Sequence, residues 1–114
     1  MKEAYVSYET AKLLKEKGFK CITMFSYSNR GTTMCGHWEN EIDWVPKCTH
    51  QMAMAWLREV HNIDICVFPY QNDYISYSYE VKIYKNKEMC FSITGSKTYE
   101  EAVEIALKYT LNKL

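Results

Sequence analysis

Apolar residues recur at helical spacing in three stretches and alternate with polar ones in between. From Thr49 to His61, the residues Met52, Ala53, Trp56, Leu57 and Val60 fall at i, i+1, i+4, i+5 and i+8. That spacing predicts one helix whose apolar stripe holds these five residues, with Gln51, Arg58, Glu59 and His61 in water. Thr49 can cap the helix, and Asn62 can take the left-handed conformation that ends it. A first helix is predicted from Tyr8 to about Lys17, capped by Ser7, with Ala11, Leu13 and Leu14 inward and Lys12 and Glu16 paired outside. Gly18 is the expected stop, with Phe19 folding back onto Leu14. A last helix opens at Thr98, where Thr98 and Glu101 have the spacing of a capping box. Its stripe is Ala102, Val103, Ala106, Leu107 and Thr110, with Glu104 and Lys108 paired on the outside.

Between the helices the period shortens. Cys21 to Tyr27 reads as a strand, Ser28 to Gly31 as a turn, and a return strand is expected within Thr33 to Trp44, with a bulge at Gly36. Val45 to Cys48 reads as the lead into the central helix. Ile63 to Phe68 is apolar on both faces apart from Asp64, which predicts an interior strand ended by Pro69. From Tyr74 to Tyr84, Ile75, Tyr77, Tyr79, Val81 and Ile83 alternate with Ser76, Ser78, Glu80 and Lys82, a strand with one dry face. Lys85 to Glu88 turns the chain into Met89 to Ile93, and Gly95-Ser96 closes that strand. The order α-β-β-α-β-β-β-α predicts a two-layer α+β fold, an antiparallel sheet with helices mainly on one face. With 114 residues and no linker or repeat, residues 1–114 form a single domain.

Composition narrows the partners. The formal net charge is zero, so the chain lacks the electrostatic footprint of a general nucleic-acid binder. No apolar run is long enough to span a bilayer, and the residues after Met1 lack a signal-peptide core. The five cysteines, Cys21, Cys35, Cys48, Cys66 and Cys90, are an odd, scattered set in apolar surroundings. They read as small buried hydrophobes in a reducing compartment, and the expected location is the cytoplasm.

THQMAMAWLREVHNI, from Thr49 to Ile63, resembles a group of small uncharacterised proteins from gut Bacteroidetes genomes and their phages or mobile elements. YVSYETAKLLKEKGF, from Tyr5 to Phe19, resembles their opening, and Tyr99 to Val103 their last helix. The likeness misses Ser28 to Lys47. It implies origin and fold, with no activity attached. A second resemblance is architectural. Thr49 to Leu111 has the α-β-β-β-α order of double-stranded-RNA-binding domains, which grip phosphates with lysines at the start of the last helix. Here Lys97 is followed by Glu100 and Glu101, whose charges would repel a phosphate.

The sharpest local pattern is a repeated Cys-x-His, Cys35-Gly36-His37 and Cys48-Thr49-His50. Four such ligands could close a tetrahedral zinc site, although the spacing is not the usual knuckle and ordinary packing explains each residue. Cys48, at a helix N-terminus with His37 or His50 as base, is the one candidate thiol nucleophile, and no oxyanion donor accompanies it. Glu39, Glu41 and Asp43 could share one face of an extended segment, or simply lie in water. Ten tyrosines are the unusual feature. Trp38, Trp44, Tyr70, Tyr74 and Tyr84 form a candidate interaction patch, since aromatics are enriched at interfaces. The resulting expectation is a small non-enzymatic cytoplasmic protein that works by contact with a protein partner or by weak self-association, without a cofactor. The alternatives are a metal- or ligand-binding module using Cys35, His37, Cys48 and His50, and an RNA-binding domain.

Overall fold

The computed structural model describes residues 4–20, 22–36, 44–71 and 77–114. In chain order these form α1 (Tyr8–Glu16), β1 (Phe25–Tyr27), β2 (Thr33–Cys35), β3 (Val45–Lys47), α2 (His50–His61), β4 (Ile63–Gln71), β5 (Tyr77–Lys85), β6 (Glu88–Ser96) and α3 (Tyr99–Lys113). The fold is α+β, as the periodicity predicts. The strands divide into two antiparallel three-stranded sheets, β2-β1-β3 and β4-β5-β6.

Helix ends follow local chemistry closely. Ser7, Thr49 and Thr98 are the three N-caps, and each side-chain oxygen accepts a backbone N–H of the first turn, from Thr10, Met52 and Glu101 respectively. Gly18, at φ +96°, ends α1. The Phe19 N–H donates to the Leu14 carbonyl and the Gly18 N–H to that of Lys15, the paired bonds of a Schellman ending. Phe19 then folds into the core. Asn62, at φ 54°, ends α2 as expected.

Which face each helix buries is less faithful to the pattern. In α3 the buried set is Ala102, Val103, Ala106, Leu107, Thr110 and Leu111, the predicted stripe extended by one residue. In α2 the buried set is His50, Ala53, Met54 and Leu57. The helix is thus rotated from the predicted stripe. Val60 is 61% exposed. Met52 and Trp56 lie half-buried at the flank, where the indole meets Phe19 edge-to-face at 5.6 Å. The cause is the run Met52 to Leu57, apolar all round, which lets either side turn inward.

The first sheet is built from strands too short to show a period. β3 occupies the stretch read as a lead-in. It pairs with β1 through Pro46 opposite Ser26 and lies at the sheet's edge, where a residue without an N–H costs no ladder bond. Cys21 and residues 37–43 lie outside the described residues, so the extents expected for the first two strands are described only as far as β1 and β2. Gly31, at φ +78°, supplies the turn between them, and the Tyr8 ring packs against its open side. Gly36, just past β2, has φ +108°.

The second sheet carries the helices. Ile63, Ile65, Val67, Tyr79, Val81, Ile83 and Phe91 pack inward with α2 and α3. β4 is an edge strand, not the interior one its two apolar faces suggest. Pro69 does not end it. It sits within the ladder opposite Tyr79, tolerated because β4 has one open side. The predicted alternation of Tyr74 to Tyr84 is present where described: Tyr79, Val81 and Ile83 face the helices, while Glu80 and Lys82 lie on the other side with Ser78. Residues 72–76, with Tyr74, Ile75 and Ser76, lie outside the described residues. Cys66 and Cys90 are exposed rather than buried, as is Cys35; Cys48 is the buried one of the four described cysteines. Edge strands leave Cys66 and Cys90 uncovered, which their apolar neighbours in sequence could not reveal.

β5 and β6 join through Asn86-Lys87, both at positive φ (53° and 68°). Two such residues make a type I′ turn, in which the second position favours glycine. Lys87→Gly should therefore raise stability by about 0.5 kcal/mol. It relieves a left-handed lysine and gives up only an exposed ion pair to Asp64 at 3.3 Å. A urea melt should show a higher midpoint with an unchanged slope. A lower midpoint would mean that the ion pair outweighs the relieved backbone.

Candidate functional site

Among the described residues, a dense polar cluster is built where α1, α2 and α3 meet. The segment before α1 lies antiparallel to the start of α2. The Val6 N–H donates to the Cys48 carbonyl at 3.0 Å, and the His50 N–H donates to that of Ala4 at 2.9 Å. This pairing sets the N-termini of α1 and α2 side by side. Glu104, from the second turn of α3, projects into the junction.

Four donors there turn to Glu104: the Ser7 N–H and hydroxyl, the Thr10 hydroxyl and His50 Nε2. Its Oε1 accepts the Ser7 N–H at 2.5 Å and faces His50 Nε2 at 3.3 Å. Its Oε2 accepts the Thr10 hydroxyl at 2.5 Å and the Ser7 hydroxyl at 3.3 Å. Two helix N-termini add their positive dipole ends. Burial alone would raise the Glu104 pKa. The bonds from His50, Thr10 and Ser7, with the His50 charge interaction, more than offset it, and the carboxyl ionises below its usual 4.5. Tyr27 closes the cluster from β1, donating to the Val6 carbonyl at 2.6 Å. Its pKa is raised from 10.0, first by burial, then by Glu104 and Cys48, so it remains a donor.

The chemistry is that of a tether. His50, Thr10, Tyr27 and Cys48 are all buried, and the carboxylate's lone pairs face protein donors. His50 Nδ1 is buried with no partner among the described residues, a bare acceptor if Nε2 carries the proton toward Glu104. The spacing of Glu104 and Lys108 predicts a surface pair. Instead Lys108 reaches across to Glu9 at 3.0 Å. The signal that could have found the tether is weak. Glu104 stands three and seven residues before Leu107 and Leu111, on the flank of the buried stripe.

The sequence-derived metal set is only partly brought together. Cys48 and His50 lie at the junction. Cys35 is exposed on β2, opposite Phe25, which is itself opposite Lys47. It is therefore two strand spacings, about 10 Å, from the strand that leads to Cys48. His37 lies outside the described residues, as do Glu39, Glu41 and Asp43. Among the described residues no group of three ligating side chains could hold a metal ion.

The aromatic set divides likewise. Trp38 and Trp44 belong to the stretch around the first sheet; Trp38 is not described, and the Trp44 carbonyl accepts Lys15 Nζ at 2.6 Å. Tyr74 is not described. Tyr70 and Tyr84 share the face of β4-β5-β6 that points away from the helices, but at opposite ends: Tyr70 opposes Ser78 and Tyr84 opposes Asp64. Between them lie Cys66, Phe68, Glu80 and Lys82. The Lys82 ammonium sits 5.6 Å over the Phe68 ring, and Ser92 donates to Glu80 at 3.3 Å. Met89, opposite Tyr84, joins this face and is exposed, as is Tyr70.

From α2 to α3 the chain also has the α-β-β-β-α order expected from sequence, with Glu100 and Glu101 exposed in the first turn of α3. No helix among the described residues is long and apolar enough to cross a membrane. Comparison with protein-family models, with curated proteins and with solved structures finds no match.

Proposed function

We propose that this chain is a non-enzymatic cytoplasmic protein that acts by contact with a protein partner, through the outer face of β4-β5-β6. One observation carries the reading: that face presents Tyr70 and Met89 exposed, beside Phe68 and Tyr84, while the helices occupy the other side. Tyrosine, phenylalanine and methionine are enriched at protein interfaces, and here the charges among them are held locally, Lys82 over Phe68 and Glu80 by Ser92. The zero net charge and the carboxylates at the start of α3 favour a protein over a phosphate backbone. The resemblance of three segments to small Bacteroidetes and phage proteins supports a mobile-element setting.

The double variant Tyr70→Lys/Met89→Lys tests it, since it charges the face without touching the core. Sedimentation of the wild type at high concentration should show association that the double variant loses, or a partner captured by the wild type should fail to bind it. A control carrying Lys12→Glu, on the exposed side of α1, should behave as the wild type does. Equal binding by wild type and double variant would overturn the proposal.

A further inference from the structure

A second feature lies on the other side of the sheet, under the last turns of α3. A cavity of about 310 Å³ opens between α3 and the ends of β4, β5 and β6. Ile63 and Ile83 come from the sheet, Tyr109 and Thr110 from α3, and Cys90 from β6. Its volume is at the lower end of small-molecule sites, about 300–1,000 Å³.

Its polar groups are few. Thr110 is 3% exposed, and its hydroxyl has no hydrogen-bond partner among the described residues. A buried hydroxyl left unpaired is a standing cost that a ligand oxygen would remove. Lys85, Lys113 and Leu114 also border the cavity, and no Asp or Glu side chain does; the backbone oxygen of Leu114 is already taken by Lys17 Nζ. Lys113 Nζ lies 5.6 Å over the Tyr109 ring. The Lys85 ammonium has no hydrogen bond or ion pair among the described residues, its backbone being paired between Ile63 and Glu88. Of the other lysines, Lys87 is engaged on Asp64 and Lys108 on Glu9, while Lys17 sits at the cavity's edge, donating to the backbone oxygen of Leu114 at 3.1 Å.

We propose that this cavity binds an apolar molecule with one anionic headgroup, of the class of a medium-chain carboxylic acid. The tail lies against Ile63, Ile83 and Tyr109, Thr110 supplies a hydrogen bond, and the lysines receive the charge. An apolar wall with two cations, no Asp or Glu side chain and the Leu114 backbone oxygen held by Lys17 selects for that combination over a neutral apolar molecule or a small anion.

Calorimetric titration with decanoate tests the proposal, with decanol and acetate as matched halves of the probe. Decanoate should bind saturably at one site, with decanol and acetate each about tenfold weaker or more. The exposed pair Lys85→Glu/Lys113→Glu should weaken decanoate by about tenfold while leaving the thermal melt in place. Decanoate should also slow maleimide labelling of Cys90 and not that of Cys66, which lies on the opposite face. Non-saturable uptake, equal affinity for decanol, an unchanged affinity in the double variant, or equal labelling of Cys90 with and without decanoate would each overturn it.

Discussion

Leu57→Ala should lower the unfolding free energy by about 3–4 kcal/mol, and Val60→Ala should change it by less than about 0.5 kcal/mol. Leu57 is fully buried among the largest core side chains, whereas Val60 is 61% exposed. Truncating Leu57 removes its transfer energy and leaves a cavity between α2 and the second sheet that α3 and β4 cannot collapse to fill. Val60 has little to lose. Trp56→Ala should fall between them, at about 2 kcal/mol, because the indole is half-buried and keeps one good ring contact with Phe19. Urea melts of the three variants rank them. A Val60 variant as damaged as the Leu57 variant would turn α2 back to the face that the periodicity suggests.

That contrast shows which parts of the fold can be read from sequence. Caps and stops are decided within a few residues, so Ser7, Thr49, Thr98, Gly18 and Asn62 all perform as their chemistry predicts. The stripe of α3 is legible because small and large apolar residues fill one side only. The face of α2 is not, because Met52 to Leu57 offers apolar surface in every direction and the choice is made by packing against other elements. β4 misleads for the same reason. Its second apolar row, Cys66, Phe68 and Tyr70, resembles the hidden side of an interior strand but forms part of an outer face. The three-residue strands β1, β2 and β3 exist through pairing across the chain, and no local period announces them.

The junction is less legible still in the sequence, because charge on a helix flank ordinarily means solvent. Glu104 and Lys108 have the spacing of a surface pair, and the inward turn of Glu104 depends on donors 54 to 97 residues away in sequence. His50 is legible in sequence as a candidate ligand or base beside Cys48; the structure adds that its buried ring faces Glu104 at 3.3 Å, joining α2 to α3. The outer-face tyrosines were legible as residue types, and the register of β4 with β5 was needed to separate Tyr70 from Tyr84 by the length of the sheet.

Removing that carboxylate should be costly and should carry a pH signature. Glu104→Ala leaves the Ser7 N–H, the Thr10 hydroxyl and His50 Nε2 without their acceptor at a largely buried junction, an expected loss of about 3 kcal/mol at pH 7. Glu104→Gln keeps the shape and one acceptor oxygen, but turns an amide donor toward groups that already donate, and should lose about 2 kcal/mol. The folded-state pKa of Glu104 lies below the usual 4.5. Its contribution is therefore complete above that unfolded-state value and is lost as the pH falls through the folded-state one. Wild type and Glu104→Gln should accordingly differ most near neutral pH, and the gap should close in acid as the wild-type carboxyl takes up its proton. Denaturant melts of both proteins across pH 7 to about 3 measure the gap directly. A gap that stays constant into acid would mean that Glu104 stabilises the junction by packing, and that its charge contributes nothing to holding α1, α2 and α3 together.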